Sequence, residues 1–312
     1  MKRDPAPDHQ AEELPLSAIL LVRDEEDNVK SCLDSVKGLC AEILIVDSGS
    51  TDRTIEICRQ YTGKIFIHPF VDSAAQWAWA FANLPIAYEW VLPLDADHVV
   101  SPELRDDLVR TLRMPADEIN GYYSRHQYLF WGEPIRGFKQ NGLRVFRKAA
   151  ASIDPSERTV FKICVRGRTG TLRGTVYEYN RKELSMDSWI AKHQQFASRV
   201  ATDEVLRRAG LLRWHVPARL FGSPDERIVW MKNLWCRMPL FVRPLLYFSY
   251  RYFLRGGFLD GRIGFIYHFM QALWYRMLID IKVAGIRRDL ASGALSTDDL
   301  RKSAGANAGT EA

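Results

Sequence analysis

SAILLVRDEEDNVKSCLDSVKGLCAEILIVDSGSTDRT, residues 17–54, sets two short apolar runs on either side of a stretch with helical spacing. The runs, AILLV (18–22) and EILIVD (42–47), are too short for helices and read as strands. Between them Val29, Leu33 and Val36 recur at the period of one helix face. Two more runs follow, KIFIH (64–68) and EWVLPLD (89–95), again with helix-like sequence between. Strands alternating with helices predict parallel β-α units in a doubly wound sheet. Ligands of such sheets sit beyond the carboxyl ends of the strands. Asp24, Asp47 and Asp95 all stand at or just past those ends, so three acids are expected to converge on one crevice.

Two segments carry the chemistry. In VDSGSTDRT (46–54) a strand ends in Asp47, and small turn residues lead to a helix capped by Ser50 or Thr51. Turn chemistry explains the serines and the glycine. It does not require an acid at the last strand position, where the base or ribose of a nucleotide can be hydrogen-bonded. In LDADH (94–98) an extended chain points Asp95 and Asp97 the same way, so their charges repel unless a cation bridges them. Oxygen ligands in an open site suit Mg²⁺ or Mn²⁺, and such an ion commonly completes its shell with a diphosphate. DADHV also fits the D-x-D-x-[T/V] pattern of haloacid-dehalogenase-type phosphatases, in which the first Asp is a nucleophile. In those proteins the motif follows the first strand, whereas three β-α units precede it in this chain. No G-x-G-x-x-G follows an early strand, which argues against a dinucleotide-dependent dehydrogenase.

SAILLVRDEEDNVKSCLDSV, ILIVDSGSTDRTIEI and EWVLPLDADHVVSPEL together resemble the three successive motifs of family 2 glycosyltransferases, over roughly residues 15–290. RPLLYFSYRYFLRGGFLDGRIGFIYHFMQALWYRMLIDIK is similar to the tail of a bacterial subgroup that builds lipopolysaccharide core and exopolysaccharide, including enzymes like the lipopolysaccharide-core β-1,4-glucosyltransferase. The resemblance implies a GT-A fold, α/β and Rossmann-like, with a doubly wound mixed sheet. It implies an inverting, metal-dependent transfer of a hexose from a nucleotide-sugar, UDP-sugar first, to a lipopolysaccharide, exopolysaccharide or lipid-linked saccharide. Asp24 and Glu26 would face base and ribose, and Asp47 the uracil. Asp95 and Asp97 would be the DXD pair on Mg²⁺ or Mn²⁺, Asp97 as direct ligand and Asp95 nearer the ribose or donor sugar. Inversion by direct displacement needs one carboxylate base on the acceptor hydroxyl. Relatives place a Glu where TVFKICVRGRTG has Val160, Phe161 and Lys162, which leaves Asp154 and Glu157 as candidates. The chain departs from the family pattern elsewhere as well. Asp24 stands where Asn is usual, and His98 where Glu is usual. AAQWAW replaces A-A-Q-[RK]-N, so the cation near the diphosphate would have to come from Arg144 or Arg147.

With 312 residues, 47% hydrophobic and 26% charged, the chain has the composition of a folded protein. Its five scattered cysteines, with no C-x-x-C, fit a reduced compartment rather than a disulfide scaffold. The segment before residue 15 is polar and lacks the apolar core of a signal peptide. Four regions are expected: a polar segment (1–14), the glycosyltransferase domain (15–210), a basic and aromatic helical extension (211–290) and a disordered tail (291–312). Within the second, residues 120–180 read as an antiparallel appendage or edge strands, and 184–210 as a helix. Residues 205–290 hold 15 Lys/Arg against 5 Asp/Glu among many aromatics. Arg243, Pro244 and Arg251 interrupt one apolar stretch, and His268, Gln271, Arg276 and Asp280 another, so neither suits a membrane span. An amphipathic segment on an anionic membrane surface fits better, and no nucleic-acid motif appears. The expected location is therefore cytoplasmic, on the inner face of the bacterial cell membrane. Two other readings remain open: a non-catalytic, membrane-associated nucleotide-sugar-binding protein, and a DxD phosphatase.

Overall fold

In the computed structural model, which describes residues 13–153, 163–214 and 216–306, the first half alternates as expected. β1 (Leu14–Val22), α1 (Val29–Val36), β2 (Cys40–Asp47), α2 (Thr54–Cys58), β3 (Ile65–Ile67), α3 (Ser73–Asn83) and β4 (Trp90–Asp95) follow in turn. β1 explains the arrangement. Its even-numbered Leu16, Ala18, Leu20 and Val22 pack with Val29, Leu33 and Val36 of α1, while Ile19 faces Trp77 and Ala80 of α3. A strand apolar on both faces needs helices on both, as in a parallel sheet.

Next come β5 (His98–Val100), α4 (Pro102–Leu112), β6 (Ile119–Phe130), β7 (Glu133–Arg147), a small separate pair β8 (Ala151–Ile153) and β9 (Ile163–Val165), and β10 (Arg168–Glu178). The main sheet has eight strands in the order β3-β2-β1-β4-β7-β6-β10-β5. β1 to β4 are mutually parallel, β7 runs against β4 and β6, and β10 is parallel to β6. The glycine-broken region 120–180 thus supplies the other half of the same mixed, doubly wound sheet. Gly174 shows why glycine is needed there. A Cβ on it would lie 2.2 Å from the Leu104 backbone, so only glycine lets β10 pass this close to α4.

The rest is helical: α5 (Met186–Arg208), α6 (Pro224–Arg237), α7 (Val242–Ser249), α8 (Gly261–His268), α9 (Tyr275–Ala291) and α10 (Thr297–Ala306). Ala197, Ala201 and Val205 of α5 pack on Ile279 and Val283 of α9. Trp189 and Tyr267 fasten this bundle to Tyr128 and Phe130 of the sheet. The polar stretch 291–312 includes α10, held by Leu300, which is buried against α5 and α9. Among the described residues no helix is long and apolar enough to cross a membrane.

Candidate active site

Strand register brings the acids together. Val22 of β1 pairs with Asp47 and Leu21 pairs with Asp95, so three strands end at one level. The chain order reverses between β1 and β4, which opens a crevice at those ends. Asp24, with φ 49°, lies just beyond. Its carboxylate accepts from Thr51 N at 2.7 Å and Thr51 Oγ1 at 3.2 Å. Asp47 accepts from Ser50 N at 3.0 Å and Ser50 Oγ at 2.6 Å, and Glu26 from Arg53 Nε at 3.1 Å. These bonds knit the loop after β1 to the loop after β2. Glu25 is the acid of the first loop whose charge bears most on Asp95 and Asp97.

After β4 the chain turns through Asp95–Asp97 and returns as β5, which pairs antiparallel with the end of β10, His98 opposite Glu178. Tyr179 N donates to the Asp97 carbonyl at 2.9 Å. This places Glu178, which the sequence reading did not single out, against the DXD pair. The signal was present: Glu178 is the last residue of its strand, as Asp47 and Asp95 are of theirs.

His126 of β6 and Arg144 of β7 complete the site. An Arg144 N–H donates to His126 Nδ1, so the imidazole proton sits on Nε2 and is donated to Glu178 at 2.5 Å. Burial alone would raise the Glu178 carboxyl, but this bond prevails and holds it down at about 2. Asp95 keeps 49% of its side-chain surface open to solvent, yet stands on the crevice floor. Burial and then the Glu178 charge push its carboxyl up to about 6, against Arg144 and His126. Asp97 is pushed well above the usual carboxylate range by burial, Glu178 and Asp95. Burial likewise lowers the Arg144 guanidinium to about 10.

His98 has a structural part. Burial followed by Arg144 lowers it to about 3, so it is neutral, and its Nδ1 accepts the Asp95 N–H at 3.1 Å, holding the turn. Asp95, Asp97 and His98 offer ligand atoms within 4.8 Å of one another, as do His98, His126 and Glu178. Two raised carboxyls beside an ionised third form a surplus of negative charge that a divalent cation relieves. Arg144 Nε is enclosed and meets no acceptor among the described residues, so the site also holds an unspent donor for an anion.

The other expected positions fall elsewhere. Arg147 pairs with Glu89 and bonds Ile119 O near the start of β4, the opposite end of that strand. Trp77 of AAQWAW is buried under the sheet. Asp154 and Glu157 lie outside the described residues. The DXD turn follows β4, after three β-α units, which is not the first-strand position a phosphatase of the rival pattern requires.

Residues 17–147 match the family model described as Glycosyl transferase family 2. The chain is 27% identical over 277 residues to the lipopolysaccharide core biosynthesis glycosyltransferase LpsC of Rhizobium meliloti, covering 83% of this chain and 91% of that protein. An uncharacterized glycosyltransferase of Rickettsia felis is 23% identical over 268 residues, covering 80% and 84%. A glucosyl-3-phosphoglycerate synthase of Mycobacterium tuberculosis, solved with Mn²⁺, UDP and phosphoglyceric acid, superposes at TM-score 0.42 and 17% identity, covering 65% of this chain and 81% of that one. A mannosyl-3-phosphoglycerate synthase of Rubrobacter xylanophilus does so at 0.39 and 16%, covering 69% and 80%. Overlaps that small carry no argument, and the fold rests on the strand order itself. The span matched by the family model runs from β1 through β7 and takes in Asp24, Asp47, Asp95, Asp97 and Arg144. The crevice therefore lies largely within a family 2 glycosyltransferase domain, and the chain is a glycosyltransferase.

Proposed function

We propose that this enzyme moves a hexose from a nucleotide-sugar, UDP-hexose first, to a saccharide of lipopolysaccharide, exopolysaccharide or lipid-linked type, with inversion and with Mg²⁺ or Mn²⁺. The observation that carries this reading is the meeting of Asp95, Asp97 and Glu178 beside the unspent donor of Arg144. A divalent ion held by Asp97 and Asp95, beside Glu178, would supply Lewis-acid stabilisation to the departing diphosphate. Arg144 offers its Nε–H to an anionic oxygen. His126 keeps Glu178 ionised, and neutral His98 fixes the DXD turn. The knitted loops carrying Asp24, Glu26 and Asp47 wall the end of the crevice where base and ribose would lie. Asp154 and Glu157 remain the candidates for the base. The LpsC relative supports an acceptor of the lipopolysaccharide class.

The test is a panel of nucleotide-sugars with Mn²⁺ and saccharide acceptors, following nucleoside diphosphate release and the anomeric configuration of the product. UDP-hexose should be turned over, EDTA should abolish turnover, and the anomer should invert. Metal-dependent UDP binding with no turnover on any acceptor would point to the binding-protein reading instead.

Membrane-surface binding has support in α7 and the π-helical turn Tyr250–Leu254 that continues it. This helix is inside out. It buries Arg243 and Arg251, at 0% and 2% exposure, and presents Leu245, Leu246, Phe253 and Leu254 to solvent, the last at 80%. Phe253, Phe258 and Phe265 all lie against the Tyr252 ring, and Phe269 against Phe265, so the exposed aromatics form one patch. Arg255 and Arg262 stand exposed in the same stretch. An outward apolar face with basic neighbours suits an anionic bilayer. Phe253→Ser with Leu254→Glu should lower co-sedimentation with phosphatidylglycerol-containing vesicles by at least about tenfold, since two large apolar side chains lose their burial. Unchanged sedimentation would remove the membrane from the reading.

A further inference from the structure

A cavity of about 220 Å³ opens beside the DXD site, between the end of β10, α5 and the segment 267–275. Glu178 lines it and also belongs to the metal-competent cluster, so the cavity leads to the reacting centre. Phe196, Tyr267 and Tyr275 line it with aromatic surface, while Glu183, Lys192 and Gln271 supply polar groups. At ~30 Å³ per water it has room for roughly seven waters, about one sugar ring. The Gln271 side-chain oxygen is enclosed and meets no donor in bonding geometry among the described residues, its polar neighbour being the His193 imidazole.

We propose that this cavity is the acceptor subsite and takes an uncharged pyranose ring, a reading that rests on the transferase activity above. A pyranose has an apolar C–H face and a rim of hydroxyls, which match an aromatic wall and scattered polar groups. The charge balance excludes an anionic sugar. Lys192 Nζ, a cation of the cavity wall, is already paired with Glu183. A carboxylate entering there would have to compete with Glu183 for the Lys192 ammonium. Hydroxyls suit the Gln271 oxygen, which can accept from one, and the Lys192 and Glu183 pair, which can share one.

The test uses the full chain, with and without UDP and Mn²⁺, and a panel of methyl hexopyranosides with the matching uronides. Binding is read by ligand-observed saturation-transfer NMR, and UDP binding separately by calorimetry. At least one neutral glycoside should bind. Phe196→Ala and Gln271→Ala should each weaken it by about fivefold or more, the weight of one ring contact or hydrogen bond. Uronides should bind more weakly than their neutral partners. Equal binding by wild type and both variants, preference for the uronide, or no glycoside binding while UDP binds would each overturn the subsite and leave the donor reading intact. Glycoside binding lost in the variants without any metal-dependent UDP binding would uphold the subsite and sink the donor reading.

Discussion

Alanine at position 97 should cut hexose transfer by at least about 10³-fold, because the charge built up on the departing diphosphate loses its stabilising ion. The same substitution should leave the unfolding temperature unchanged or raised. Asp97 has a carboxyl pushed up by burial, Glu178 and Asp95, so without the ion its removal relieves repulsion. Loss of rate without loss of stability separates a binding residue from a packing one. Glu178→Gln offers a contrast. It should also abolish metal-dependent turnover, but it takes a charge-assisted bond from His126 and should cost about 1–3 kcal/mol of stability. Single-turnover assays with UDP-hexose, paired with thermal melts, read both. Near wild-type transfer by Asp97→Ala would sink the metal assignment.

Arg243→Ala should lower stability by about 3–5 kcal/mol, a fall in Tm of roughly 10 °C, by stranding the Asp280 carboxylate in the interior and leaving Glu204 only its pairing with Arg208. Arg243 Nε bonds Asp280 of α9 at 2.8 Å, and its Nη atoms bond Glu204 of α5 at 3.1 and 2.9 Å. Asp280 also accepts from Phe241 N at 2.7 Å, so the entry of α7 hangs on the same carboxylate. All three charged groups are buried. The triple variant Arg243→Met, Glu204→Gln, Asp280→Asn should recover most of the loss, since it removes the charges together. Because α7 carries the outward apolar face, Arg243→Ala should also weaken vesicle binding while UDP affinity stays near wild type. If Arg243→Ala melts like wild type, the triad does not hold the helices together.

The sequence alone specified the strands and helices of the first half, because apolar periodicity and turn chemistry are written within a few neighbouring residues. It also placed Asp24, Asp47 and Asp95 at one end of the sheet, since strand ends in β-α units share a side. Glu178 and His126, and the separation of Arg144 from Arg147, required the tertiary structure. Glu178, His126 and Arg144 stand on three strands, and only the order β7-β6-β10-β5 and the register of His98 against Glu178 bring them to the DXD turn. Strand order and register are set by long-range packing, on which local spacing is silent. The same limit hid the polarity of the C-terminal helices. Composition showed arginines among aromatics, and a water-facing helix would turn the arginines out. Buried partners from α5 and α9 reverse that choice for Arg243, since paired charges can be enclosed while unpaired leucines and phenylalanines are left outside.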